Sequence, residues 1–313
     1  MRVYFATDIH GSDVCWKKFL NAASHYRADV LIMGGDMTGK AMVPIVAAGG
    51  GSWDVTIQEQ RHRLSGEDEV RAMEKRISDR GYYPVRVTPD ELAALAADET
   101  LVDARFRHEM LASVERWMAL ADEKLRDGKV RCIVSPANDD IFEVDPVIRA
   151  AARVEYGEGN LIDIGGFTLV SLGWANPTPW KTWRELPEPE LRARIDALMA
   201  GVSDQRRAVF NLHAPPYGSN LDAAPELDAN MKYVAGGQAL RPVGSHAVRE
   251  AIGEYQPALS LHGHIHEGKG AVRLGRTLAV NPGSSYEDGV LQAAVVDLDP
   301  KKGDVKSYML VNG

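Results

Sequence analysis

Oxygen- and nitrogen-bearing side chains recur in this chain wherever an apolar run stops. Asp8 and His10 follow Val3 to Thr7, and Asp36 follows Val30 to Met33. Asn138 follows Arg131 to Val134, His213 follows Ala208 to Leu212, and His264 and His266 follow Ala258 to Leu261. Carboxylate, amide and imidazole donors suit Mn, Fe, Zn or a similar divalent ion. The lack of thiolates among them argues against a structural zinc site. Each fragment alone is ordinary: Asp-x-His is common at surfaces, and Gly35-Asp36 and Asn138-Asp139 read as turns. In this order, and all past strand ends, they define a candidate metal centre, because open α/β sheets bind ligands outside the carboxyl ends of their strands. Residues two apart in an extended segment point the same way, so Asp8 with His10, and His264 with His266, are each expected to address one region.

The elements that must position these groups alternate from the first residue. Val3 to Thr7 and Val30 to Met33 read as buried strands, with a helix between them that Ser12-Asp13 can cap. Strand, helix, strand at this spacing predicts a right-handed parallel unit. Residues 41–128 break the pattern and show no evident buried strand. Ala47 to Ser52 reads as a loop, Glu67 to Ser78 and Leu101 to Leu125 as helices, and Thr88-Pro89-Asp90-Glu91 as the start of a short helix. This stretch is expected to be a helical, cap-like insertion within one domain of residues 1–313. Beyond it, Leu161 to Ile164 and Phe167 to Leu172 flank Gly165-Gly166 as a hairpin. Glu188 to Met199 and the segment after Ser245 read as helices. Thr277 to Val280, Leu291 to Leu298 and Val305 to Val311 read as late antiparallel strands.

Composition bounds the partners. The 313 residues carry a formal charge of −8, which offers no bulk field for nucleic acid. Cys15 and Cys132 make no disulfide framework, and the N-terminus runs directly into a strand without a leader; both point to the cytoplasm. No apolar run approaches the ~20 residues of a membrane span.

The motifs Asp8-Ile9-His10, Gly35-Asp36, Ala137-Asn138-Asp139-Asp140, His213 and Gly263-His264-Ile265-His266 resemble those of the calcineurin-like metallophosphoesterases, and Asn281-Pro282-Gly283-Ser284 matches a sequence common after the last motif. The resemblance covers the chain outside the insertion. It implies an α/β fold, a two-layer mixed β-sandwich flanked by helices, with two divalent metal ions at the strand ends. Asp36 would bridge them, Asp8, His10 and His266 would complete one site, and Asn138, His213 and His264 the other. A metal-bridging hydroxide would then attack the phosphorus of a small phosphodiester or phosphomonoester, such as a nucleotide, with the insertion restricting access. The alternatives are a nucleotide pyrophosphatase and a catalytically weak binding member of the fold.

The third motif departs from the family pattern. Ala137 stands for a Gly, and Asp139 for the His that serves the leaving group or the phosphoryl charge. An Asp beside cations is expected to be ionised and a poor general acid. Asp139 and Asn138 remain the candidate catalytic pair, with His62, His108 or a metal-bound water as other proton sources. Trp174, Trp180 and Trp183 are expected to pack in their loop or stack on a base. Asn176, Asn211 and His262 are expected behind the ligands.

Overall fold

The computed structural model describes residues 1–228 and 230–313. In chain order its elements are β1 (Arg2–Ala6), α1 (Asp13–His25), β2 (Val30–Met33), β3 (Met42–Gly49), β4 (Ser52–Ile57), β5 (Gln60–Ser65), α2 (Glu67–Asp79), β6 (Tyr83–Val87), α3 (Pro89–Ala97), α4 (Glu99–Lys124) and β7 (Arg131–Val134). There follow α5 (Val144–Ala150), β8 (Val154–Tyr156), β9 (Leu161–Asp163), β10 (Thr168–Leu172), α6 (Glu188–Met199), β11 (Ala208–Leu212), β12 (Ala223–Pro225), β13 (Leu240–Pro242) and α7 (His246–Tyr255). The chain closes with β14 (Leu259–Leu261), β15 (Gly270–Leu274), β16 (Thr277–Asn281), β17 (Gln292–Asp299) and β18 (Asp304–Asn312).

Two six-stranded mixed sheets form the body, ordered β18-β17-β1-β2-β7-β8 and β15-β16-β14-β11-β10-β9. Alternation along each strand sends one set of side chains inward and the other toward helices. Val3, Phe5, Val30, Ile32 and Ile133 of the first sheet meet Leu169, Val209, Leu259, Leu261 and Val280 of the second. Tyr4, Leu31, Met33 and Val134 instead pack under α1, α4 and α5, while Val170, Phe210 and Leu212 pack under α6 and α7. This is the expected sandwich flanked by helices. Strands β1, β2 and β7 run parallel, as do β10, β11, β14 and β16, so their carboxyl ends share one rim.

Two expectations need correction. The 41–128 insertion is not helical throughout: β3 to β6 form a four-stranded sheet ordered β5-β4-β3-β6. Only Ile45, Val55, Ile57 and Leu64, with two valines and Tyr83 of β6, are deeply buried on these strands, and the rest are half-buried or, like Gln60, Arg61 and Arg63, exposed. A sheet with so thin an apolar face reads as loop in the sequence. Its core is completed by Val70, Met73 and Ile77 of α2. The Gly-rich loop is the β3–β4 turn, where Gly49, Gly50 and Gly51 all have positive φ. The late strands are also not uniformly antiparallel, since β16 runs parallel to β14 and antiparallel to the unforeseen β15.

Local capping explains why the helices begin where they do. Ser12 accepts from the Cys15 amide at the start of α1, and Thr88 with Glu91 makes a reciprocal capping box at α3. The long α4 docks on the body through Trp117, whose ring stacks on Trp16 at 5.2 Å and whose indole N–H donates to Asp13.

Candidate metal centre

The candidate ligands converge at the shared rim, but not by simple alternation. Asp8, His10, Asp36 and His264 all have positive φ, between 36° and 67°. Non-glycine residues there are uncommon and cost of order 1 kcal/mol or more each. The paired motifs therefore turn in left-handed backbone instead of leaving their strands extended as expected. Interlocking hydrogen bonds hold the turns: the amides of Asp8, His10 and Gly11 donate to the carbonyls of Gly35, Asp36 and Met37. Gly263 is obligatory, because a Cβ on it would lie 2.2 Å from Asp8 Oδ2.

Two donor groups result, and a third made of His10, Asp36 and Asp139 overlaps them. Asp8, His10 and His266 form the first and Asp36, His213 and His264 the second, each with donor atoms within 4.8 Å of one another. In the first, His10 Nε2 and His266 Nε2 face each other at 3.0 Å, with Asp8 Oδ1 3.9 and 3.5 Å away. Asp36 Oδ2 lies 3.2 Å from His213 Nε2 and 3.9 Å from His10 Nε2, so it reaches both groups. Asn138 turns its amide N–H toward Thr182 Oγ1 at 3.0 Å, and that hydroxyl donates to Glu185. This leaves Asn138 Oδ1 buried with no hydrogen-bond partner, while His213 Nε2 has only the Asp36 carboxylate beside it. Buried polar atoms without partners are costly unless something else satisfies them. A divalent cation fits these donors in type and direction.

The supporting groups fix orientation. His213 Nδ1 lies 3.1 Å from the Gly34 carbonyl, which as acceptor selects the tautomer that aims Nε2 into the site. Thr7 Oγ1 donates to Asp8 Oδ2 at 2.7 Å, and the His264 amide donates to the same carboxylate. Asn281 explains the Asn-Pro-Gly-Ser sequence: its amide donates to the carbonyls of Leu221, Gly263 and Ile265, while Ser284 Oγ donates to the Asp8 carbonyl. His262 lies behind the ligands as expected, bound to Leu212 and Ala214 carbonyls, and burial pushes it down to about 4. Asn211 ties β11 to Ser135 and Ser171.

The motif spacing assigns Asp140 no role, yet it is fully buried and accepts from the amides of Met37, Thr38 and Ala137 and from Thr38 Oγ1. It clamps the second motif loop to the third. Arg184, also unforeseen and buried, grips the same loop at the Asp140 and Ile141 carbonyls and pairs with Asp145 at 2.6 Å. Ala137 fits because Gly35 faces it; a Cβ on Gly35 would lie 2.1 Å from the Ala137 Cβ.

Electrostatics follow from packing so many charges without water. Burial opposes ionisation of Asp8 and Asp36, but His213 and the other imidazoles hold both carboxyls below the ordinary range. Burial works against protonation of His213, yet Asp36 and Asp8 carry it up to about 10. Desolvation brings His264 down to about 4. For Asp139, burial and the Asp36 charge raise the carboxyl to about 7 against the pull of Lys40. The depressed value expected from the sequence presupposes cations beside it, which would reverse that sign.

A cavity of about 910 Å³ opens over the two donor groups. Phe106 and Met110 of α4 line it, so the insertion does contribute to its wall. Asn176, Trp180 and Trp183 of the loop after β10, and Tyr233 and Arg241 around β12 and β13, supply much of the rest. Trp174 packs away from it, against Phe142 and Arg194. Neither His62 on β5 nor the exposed His108 on α4 lines it.

No family model matches the chain. Over 121 residues, 38% of its length, it is 29% identical to an uncharacterized protein, MJ1162, of Methanocaldococcus jannaschii. The matched stretch spans about half, 49%, of that curated relative. By structure it superposes on TT1561 of Thermus thermophilus with a TM-score of 0.53 and 15% identity, over 100% of this chain and 97% of that one. A protein from Mycoplasma pneumoniae described as a novel phosphatase aligns at 0.47 and 12% identity, over 100% and 93%. At these identities the likeness is one of fold alone, two mixed sheets flanked by helices. No helix among the described residues is long and apolar enough to cross a membrane.

Proposed function

We propose that this protein is a metal-dependent phosphoesterase acting on a small phosphodiester or phosphomonoester, with the diester preferred. Asp8, His10 and His266 would hold one divalent ion, and Asn138, His213 and His264 a second, with Asp36 shared between them. The observation that carries this reading is the convergence of buried donors, among them the unpartnered Asn138 Oδ1, on a rim that opens into a cavity. Two cations held there would lower the pKa of a shared water and neutralise phosphoryl oxygens.

The chain's own groups do the rest. The Gly34 carbonyl and Thr182 keep His213 and Asn138 aimed inward. The roof formed by α4 and the 176–183 loop restricts access and favours a small substrate over a phosphoprotein. Trp180 and Trp183, 67% and 44% exposed on the cavity wall, offer faces for a planar group such as a nucleobase.

The test is metal content of the purified protein together with hydrolysis of bis-p-nitrophenyl phosphate in manganese, followed by cyclic nucleotides, nucleotide diesters and phosphomonoesters. Near-stoichiometric metal with turnover is expected, and Asp36→Ala is expected to lose both. Metal retained with no turnover on any ester would replace the hydrolase reading with that of a binding member of the fold.

A further inference from the structure

The centre has a cation of its own outside the metal ligands. Lys40 lies four residues beyond Asp36, at the end of the loop that follows β2. Its Nζ sits 3.1 Å from Asp139 Oδ2, and the same oxygen is 3.8 Å from His10 Nδ1. Asp139 is itself fixed, since its amide donates to Asp36 Oδ1 at 2.9 Å and its Oδ1 accepts from Asn138 Nδ2 at 3.0 Å. The Lys40 backbone is held as firmly: the preceding Gly39 amide donates to the buried Tyr83 hydroxyl at 2.7 Å. Half of the Lys40 side chain remains exposed, 49%, and that exposed part lines the cavity beside Asp36, Asn138 and His266. A lysine with one carboxylate partner keeps two N–H donors free, and here they border the space above the ligands.

We propose that Lys40, braced by Asp139, binds a phosphoryl oxygen of the substrate and does the charge-stabilising work that a histidine at position 139 would do. The proposal rests on the phosphoesterase reading. It makes sense of the altered motif: a carboxylate alone would repel a phosphate, whereas Lys40 held beside Asp139 presents a positive tip. Lys40 transfers no proton in this role. The leaving group departs with its electron pair and takes a proton from solvent, so Lys40 is needed for every ester, whatever its leaving group. Two other Lys or Arg side chains line the cavity, Lys181 and Arg241. Neither has an ion-pair partner that ties it to the third motif among the described residues.

Lys40→Met, Lys40→Arg, Lys181→Met and Arg241→Met are compared in the manganese-loaded protein. The binding readout is calorimetric titration with inorganic phosphate, and the kinetic readout is kcat/KM for bis-p-nitrophenyl phosphate. Lys40→Met is expected to weaken phosphate binding roughly 10-fold or more, the loss of one charge-assisted hydrogen bond. It should lower kcat/KM by roughly 100-fold, with Lys40→Arg restoring a large part of both. Manganese affinity of Lys40→Met should be unchanged or tighter, because a neighbouring positive charge is gone. Phosphate affinity within twofold of wild type in Lys40→Met, or a greater loss in Lys181→Met or Arg241→Met, overturns the proposal and leaves the hydrolase intact. Failure of the wild-type protein to bind manganese overturns the underlying reading instead. Weaker manganese binding in Lys40→Met would show that Lys40 only shapes the ligand cage, and would also overturn it.

Discussion

Glu158 shows how a single residue outside the candidate metal ligands bears on the site. Its carboxylate accepts from the Gly173 amide, and Gly173 packs so closely on the third motif that a Cβ there would meet the Pro136 carbonyl at 2.0 Å. Burial raises the Glu158 carboxyl to about 7 despite that hydrogen bond and the nearby arginines. Its ordinary value is lower, ~4.3. Between those two values the folded protein holds a proton that the unfolded chain has released, so this group lowers stability as pH climbs from about 4.3 to 7. Glu158→Gln keeps an acceptor for Gly173 and removes the titration. Its thermal midpoint should exceed that of wild type at pH 8, with the gap closing by pH 5. Equal midpoints at both pH values, measured by calorimetry, would show that Glu158 is solvated enough to escape the effect.

At the scale of elements, the left-handed turns after β1, β2 and β14 are paid for by connections between loops. Asp140 is the strongest of these, joining the loop after β2 to the loop after β7 through its bonds to Met37, Thr38 and Ala137. Asp140→Ala would leave those buried amides unpartnered, each at roughly 1–3 kcal/mol. A fall in unfolding free energy of several kcal/mol is expected, together with weaker manganese binding, because Asp36 and Asn138 ride on the two loops. Chemical denaturation and metal titration on the same variant check this; a large stability loss with metal affinity unchanged would mean that the loops hold their spacing without the clamp. The insertion acts on the same region, since Tyr83 of β6 holds Gly39, and α4 lines the cavity.

For the whole molecule, the concentration of charge at the rim makes metal and proton binding compete. His213, carried up to about 10 by Asp36 and Asp8, must surrender its proton before Nε2 can accept a cation. Manganese affinity should therefore rise with pH between about 6 and 8, approaching a tenfold gain per unit where one proton is released. A ligand that binds only the folded state stabilises it, so chelation should lower the thermal midpoint by more at pH 8 than at pH 6. A pH-independent affinity would indicate that His213 is already neutral before metal arrives.

Much of this was legible in the chain itself, for a physical reason. Buried parallel strands are short apolar runs, and their ends mark one rim, so Asp8, His10, Asp36, Asn138, His213, His264 and His266 could be placed together without coordinates. Helix starts at Ser12, Thr88 and Ser245 were equally plain, because caps are local chemistry. What the tertiary structure alone decided depends on distance across the fold. The β3–β6 sheet buries too thin an apolar face to announce itself. The backbone of Asp8, His10 and His264 turns left-handed only because loops from separate strands lock it there. The meeting of Lys40 with Asp139, 99 positions apart in the numbering, and of Asp140 with Met37, followed from no local pattern. Spacing along a chain reports which face or end a residue occupies, whereas the partner across the gap is set by how the two sheets and their loops close together.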